Sequence, residues 1–200
     1  MVLVVTGCGG DDGDSQSALP QGCEEVEAPE AKEVSLSRPQ ERLSGPATAV
    51  VETSCGSFEI ALDTARAPRT TSSFAFLVRE GLYDDTLIHR IEPGFVIQGG
   101  DPLGTGTGGP GYFVDEPPPQ RLSYTSGIVA MAKSEAEPPG RSQSQFFVVT
   151  VADAGLPPDY ALLGRVSEGF DVVKRIETLG TEGGRPRAPV VIEAITLRGG

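Results

Sequence analysis

The chain has 200 residues, 26 of them Gly and 17 Pro, and a net charge of −12, which leaves room for one domain of roughly 100–150 residues plus a tail. Residues 11–42 hold nine acids against three bases and residues 43–200 hold 19 against 13, so no basic face for nucleic acid is present. No run approaches the roughly 20 apolar residues of a membrane-spanning helix, and the abundance of Gly and Pro favours short strands joined by turns.

At the amino terminus, Val2-Leu3-Val4-Val5-Thr6-Gly7-Cys8 resembles the end of a bacterial lipoprotein signal, in which small residues precede a cysteine that receives lipid. The apolar run is four residues with no Lys or Arg before Cys8, against about 7–15 residues and a basic start in a full leader. Either translation begins further upstream or the likeness is coincidental; lipidation of Cys8 is the expectation carried forward. On that expectation, residues 1–8 read as a truncated lipoprotein-type signal. Residues 9–44, rich in Gly, Asp, Ser, Glu and Pro, are predicted to be a flexible acidic linker. Residues 45–200 form the folded domain. With Cys8 lipidated, Cys23 and Cys55 remain as an even pair in an oxidising compartment. A bridge between them would pin the tail to the first hairpin; two unrelated thiols are the alternative.

Ala47 to Thr53 and Ser57 to Asp63 alternate apolar and polar residues around Ser54-Cys55-Gly56, a hairpin pattern. Pro68 to Phe74 opens an amphipathic helix with Phe74, Leu77 and Val78 on one face, a Thr or Ser to cap it and Gly81 to stop it. Strands follow at Leu87 to Ile91, Phe95 to Gln98, Ile128 to Ala132, Phe146 to Thr150 and Leu162 to Val166. A second helix fits Glu168 to Leu179, and Val190 to Leu197 closes with clean alternation. This is a mainly β protein with two covering helices, and closing the sheet into a barrel would remove its exposed edges.

Three features look chemical. Gly104-Thr105-Gly106-Thr107-Gly108-Gly109 matches GxGxxG, but Pro110-Gly111 follows instead of a helix, so a dinucleotide site is excluded. His89 is the only histidine and is a poor metal ligand without partners, so a structural role is expected. Arg90, Phe95 and Gln98 lie along a strand-like run, where side chains two apart share a face. Ser144-Gln145-Phe146-Phe147 offers a second strand with amides and aromatics. One Arg, amides and Phe rings, without a nucleophile–base pair, suit a neutral peptide group beside an apolar ring.

From about Ala47 to Leu197 the chain resembles the cyclophilin family of peptidyl-prolyl cis-trans isomerases. The likeness rests on His89-Arg90-Ile91, Pro93-Gly94-Phe95, Gln98-Gly99-Gly100-Asp101, Gly104-Thr105-Gly106, Ala130-Met131-Ala132, Ser144-Gln145-Phe146-Phe147 and Leu163-Gly164-Arg165-Val166. It implies a closed eight-stranded antiparallel barrel with a helix over each open end. It also implies isomerisation of X-Pro bonds, with Arg90, Phe95, Gln98 and Phe147 as the catalytic set. Val96, Leu156 and Tyr160 would help wall the proline pocket, and Ala132, the Lys133 backbone and Gln145 would meet the substrate chain. No metal or cofactor is expected.

Several positions depart from the family. Tyr160 stands where many members have His, Val96 replaces a commoner Met, and Lys133 replaces the usual Asn. The absence of Trp implies weak cyclosporin binding. The expected partners are proline-containing peptides and unfolded exported proteins, with membrane contact only through the lipid. A peptide-binding holdase that uses the same groove without turnover is the alternative.

Overall fold

A computed structural model describes residues 19–200; Cys8 and the rest of the signal-like segment lie outside the described residues. The elements in chain order are β1 (Ala47–Thr53), β2 (Gly56–Leu62), α1 (Pro68–Arg79), β3 (Thr86–Leu87), β4 (Arg90–Glu92), β5 (Val96–Gly99) and β6 (Val114–Asp115). After these come β7 (Ile128–Met131), β8 (Arg141–Ser142), β9 (Phe146–Val149), β10 (Leu162–Glu168), α2 (Phe170–Glu177) and β11 (Val191–Gly199). Nine strands form one antiparallel sheet in the order β3-β11-β1-β2-β10-β7-β9-β5-β4, and β6 pairs with β8 in a separate ribbon.

The sheet is mainly β with two helices, as expected, but a closed eight-stranded barrel is not what the ladders describe. The difference lies at residues 87–91, expected as one strand. Ile88 and His89 leave the ladder and split that run. β3 then pairs with β11 and β4 pairs with β5, so the two halves become the two ends of a curled nine-stranded sheet. An isolated bridge between Leu87 and Asp101 is the described contact across that break. The β6–β8 ribbon has no two-residue periodicity long enough to read from sequence.

Alternation along the strands sorts side chains into two apolar clusters. Phe58, Ile60, Phe74, Leu77, Ile97, Phe146, Val173 and Ile176 belong to the larger one, between the sheet and the helices. Val96, Tyr124, Ile128, Phe147 and Leu162 belong to the smaller. Neighbours in sequence therefore part company: Phe146 meets Phe74 and Tyr83 edge-on at 5.9 Å, while Phe147 turns to the opposite face, because strand side chains alternate.

Both helices begin differently from the sequence expectation. No side chain of α1 caps its own start; Pro68 supplies the preset φ of the first turn, and the Glu116 carboxylate accepts from the Arg69 and Thr70 N–H groups at 3.0 and 2.7 Å. A carboxylate at a helix N-terminus satisfies free donors and the dipole together. α2 starts from Gly169 at φ 73°, where a Cβ would lie 2.5 Å from the Ser57 carbonyl oxygen. Positive φ and that close approach both require glycine.

The described part of the segment predicted as a linker, residues 19–44, holds no helix or strand yet lies along the domain. Lys32 N–H donates to the Pro102 carbonyl and Leu36 N–H to that of Pro110, each at 2.8 Å. Leu19, Cys23, Val34 and Leu36 pack against the larger cluster. Cys23 is joined to Cys55, in the β1–β2 turn, across a sequence separation of 32. Closing a loop of that size is worth about 2–4 kcal/mol. Replacing both cysteines by Ser should lower the urea midpoint accordingly and speed protease cleavage within residues 24–42; unchanged cleavage would count against the strap being held this way.

Candidate active site

Strand register assembles the site. β4 and β5 place Arg90 opposite Gln98, and β5 and β9 place Gln98 opposite Phe147. The three side chains thus stand in one row across adjacent strands. Arg90 donates through Nη1 to Gln98 Oε1 at 3.0 Å and through Nη2 to Glu92 Oε1 at 2.6 Å. Gln98 Nε2 donates to Gln145 Oε1 at 3.0 Å, and Gln145 Nε2 to the Gly108 carbonyl at 3.0 Å. A relay of amides therefore runs from the glycine-rich loop to the guanidinium. Two of the five guanidinium N–H donors are spent on orientation, which leaves donors for a ligand.

The guanidinium carbon lies 5.9 Å from the centre of the Phe95 ring, and the two border a cavity of about 210 Å³. Of the ten residues predicted for catalysis and substrate binding, nine line it: Arg90, Phe95, Val96, Gln98, Ala132, Lys133, Phe147, Leu156 and Tyr160. The tenth, Gln145, lines the adjoining cavity. Phe147 and Val96 are buried at its floor, and Tyr160 meets Phe147 edge-on at 5.4 Å. A larger crevice of about 430 Å³, between the N-terminal segment and α1, lacks any aromatic wall.

Three supporting residues escaped the sequence reading. Glu92 holds the guanidinium, and its signal was available: it lies two residues from Arg90 on a strand, hence on the same face. Tyr124 lies behind the cavity, 6.3 Å from Phe147 and 5.9 Å from Tyr160 between ring centres. Its hydroxyl donates to the Tyr160 carbonyl at 2.6 Å and accepts from the Tyr160 N–H at 3.0 Å. Burial pushes the Tyr124 pKa up to about 12, so the hydroxyl stays protonated and Tyr160 stays placed.

The third is Glu177 of α2. Its Oε1 accepts from the Gly94 N–H at 2.8 Å and the Thr150 hydroxyl at 2.5 Å, and Lys174 pairs with its other oxygen. The bond to Gly94 fixes the turn that presents Phe95. Burial raises the carboxyl pKa, but the Lys174, Thr150 and Gly94 donors outweigh it and hold the pKa below the usual range. A carboxyl depressed in the folded state stabilises fully above its unfolded pKa and loses that contribution as the pH falls through its folded value. Glu177→Gln should cost about 1–3 kcal/mol at neutral pH and flatten the acid limb of stability, read as the urea midpoint against pH. An acid limb identical to wild type would exclude this role.

His89 takes the structural role expected of it, as packing rather than as a hydrogen-bonding group. Both ring nitrogens are shielded from solvent and neither has a hydrogen-bond partner among the described residues. Burial lowers its pKa, so the ring is neutral near pH 7 and acts as packing at the break between β3 and β4.

A family model for cyclophilin type peptidyl-prolyl cis-trans isomerase/CLD matches residues 48–197. The chain belongs to this family. This cyclophilin is 40% identical over 136 residues to a peptidyl-prolyl cis-trans isomerase-like 1 from Gibberella zeae, covering 66% of this chain and 82% of the relative. It is 38% identical over 170 residues to peptidyl-prolyl cis-trans isomerase A from Mycobacterium tuberculosis, covering 76% and 92%. A crystal structure of a Cryptosporidium parvum cyclophilin type peptidyl-prolyl cis-trans isomerase superposes with a TM-score of 0.71 at 30% identity. It covers 78% of this chain and 99% of that one. The same parasite enzyme was also solved in the presence of the dipeptide Ala-Pro, with a TM-score of 0.70 and 28% identity over 76% of this chain and 99% of that one.

Proposed function

We propose that this cyclophilin accelerates cis–trans rotation about X-Pro bonds, and that the cavity between Arg90 and Phe147 seats the proline ring. The observation that carries this reading is a guanidinium, steered by Gln98 and Glu92, at the rim of an aromatic cavity whose lining holds no Ser, Cys or His. The barrier to amide rotation is about 18–20 kcal/mol and arises from resonance. Lowering it requires only that the twisted amide be bound better than either planar form. As the C–N bond twists, the prolyl nitrogen gains a lone pair, and Arg90 donates to it. That hydrogen bond does not exist in the planar ground state, so it lowers the barrier itself. Phe95, Val96, Phe147, Leu156 and Tyr160 hold the ring, and Gln98 holds the guanidinium. The Ala-Pro dipeptide used with the parasite enzyme supports a proline ligand here.

The test is the cis-to-trans rate of an Ala-Pro-Phe-type peptide. Acceleration by the wild-type protein supports the isomerase, and a folded protein without acceleration leaves a proline-peptide-binding holdase instead.

The same proposal places the enzyme outside the cytoplasm, tethered through lipid on Cys8 and assisting folding of exported proteins. It is supported by the signal-like residues before Cys8 and by the Cys23–Cys55 bridge, since disulfides persist in oxidising compartments. Labelled fatty acid should be incorporated by the full chain in a bacterial host and lost in Cys8→Ser; equal labelling of both would exclude the anchor.

A further inference from the structure

Lys133 follows β7 and stands on the ridge between the proline cavity and a second cavity of about 320 Å³; it lines both, as do Gln98 and Ala132. Its ammonium donates to the carbonyls of Ser134 and Glu137 at 3.2 and 3.1 Å and lies 5.5 Å from the centre of the Tyr160 ring. Two of its three donors are thus spent on neutral groups. Among the described residues no carboxylate comes within the 4.0 Å of an ion pair. Arg90, by contrast, is paired with Glu92. The one carboxylate lining the second cavity, that of Glu137, is turned to the Ser134 N–H at 2.6 Å.

The remaining wall suits an anion more than an apolar group. Thr107 and Gln143 bring a hydroxyl and an amide, beside the Gln145 amide already held by Gln98 and Gly108. A half-buried ammonium whose partners are neutral carbonyls gains from a carboxylate the charge–charge attraction that no carbonyl supplies. The two cavities share a wall, and an extended peptide advances about 3.3 Å per residue. A residue one or two positions from a seated proline therefore reaches the second cavity.

We infer that Lys133 sets substrate preference, selecting peptides with an Asp or Glu side chain within two residues of the proline and receiving that carboxylate in the second cavity. This rests on the reading of the first cavity as the proline site. The selection works against the chain's net charge of −12, which repels acidic peptides at long range. That field acts almost equally on a single-charge variant, so the informative quantity is how the preference changes between wild type and variant.

The experiment measures kcat/KM for peptides carrying Glu, Gln or Lys at each of the two positions before proline and the one after. At one position wild type should favour Glu over Gln about threefold to tenfold relative to the same ratio in Lys133→Gln. Lys133→Glu should favour the Lys peptide there instead. In about 1 M salt, where the screening length is about 3 Å, both preferences should shrink. Equal Glu-to-Gln ratios in wild type and Lys133→Gln at every position would overturn the inference. Affinities of the same peptides by fluorescence anisotropy separate it from the isomerase reading. Glu-selective binding without acceleration would overturn the isomerase and leave this site standing. Acceleration without Glu selectivity would overturn the site alone.

Discussion

Arg90→Ala should lower kcat/KM for a proline peptide by about 100- to 1,000-fold, the loss that follows removal of one preorganised donor to a transition state. Ground-state binding should change far less, because the hydrogen bond to the prolyl nitrogen exists only once the amide has twisted. Stability should also change little. Arg90 and Glu92 are 37% and 36% exposed, and a pair of that exposure contributes about 0–1 kcal/mol. Arg90→Lys should recover only part of the activity. An ammonium cannot hold the Gln98 and Glu92 contacts while presenting a third donor in the fixed geometry of the guanidinium plane. The decisive readout is kcat/KM on a protein shown to be folded; a variant within threefold of wild type would remove Arg90 from the chemistry.

Phe147→Ala should cost about 3–5 kcal/mol of stability and most of the affinity for proline. The ring is 4% exposed, packs edge-on against Tyr160 at 5.4 Å and lies 6.3 Å from Tyr124. Truncation opens the proline cavity into the smaller core cluster, so the substrate ring loses its floor and Tyr160 loses a neighbour. Phe147→Leu keeps most of the volume and should cost less than about 1.5 kcal/mol while still raising KM, since a flat wall becomes a branched one. Chemical denaturation and KM on the pair separate packing from ligand contact. A Phe147→Ala variant destabilised by under about 1 kcal/mol would show that the ring does not bridge core and cavity.

Part of the row of side chains at the candidate site was legible because the information is local. Arg90 and Gln98 lie within one short segment, although their side-by-side placement comes from the β4–β5 register rather than from alternation along a single strand. Gln145 and Phe147 could be placed beside them only through the family resemblance, because nothing in either segment states the β5–β9 pairing. Helix α1 and the first hairpin were equally legible from their apolar spacing. The α1 cap was not: its own first turn offers Thr and Ser, yet Glu116 supplies the acceptor. The nine-stranded sheet was not either, because the interruption at Ile88–His89 depends on what β11 and β5 each pair with.

Composition and pattern by themselves determined a mainly β domain with two helices and an acidic tail, since periodicity and residue chemistry act over a few positions, whereas most residues of the groove were named only through the family resemblance. Only the tertiary structure decided how those residues are held. The Tyr124–Tyr160 contact spans 36 residues and the Glu177–Gly94 contact 83. It also decided that residues 19–44 run along the domain and that Lys133 lines two cavities at once. Contacts of that range are fixed by the meeting of surfaces after the sheet has formed, and a polar side chain carries no local mark of the partner it will meet.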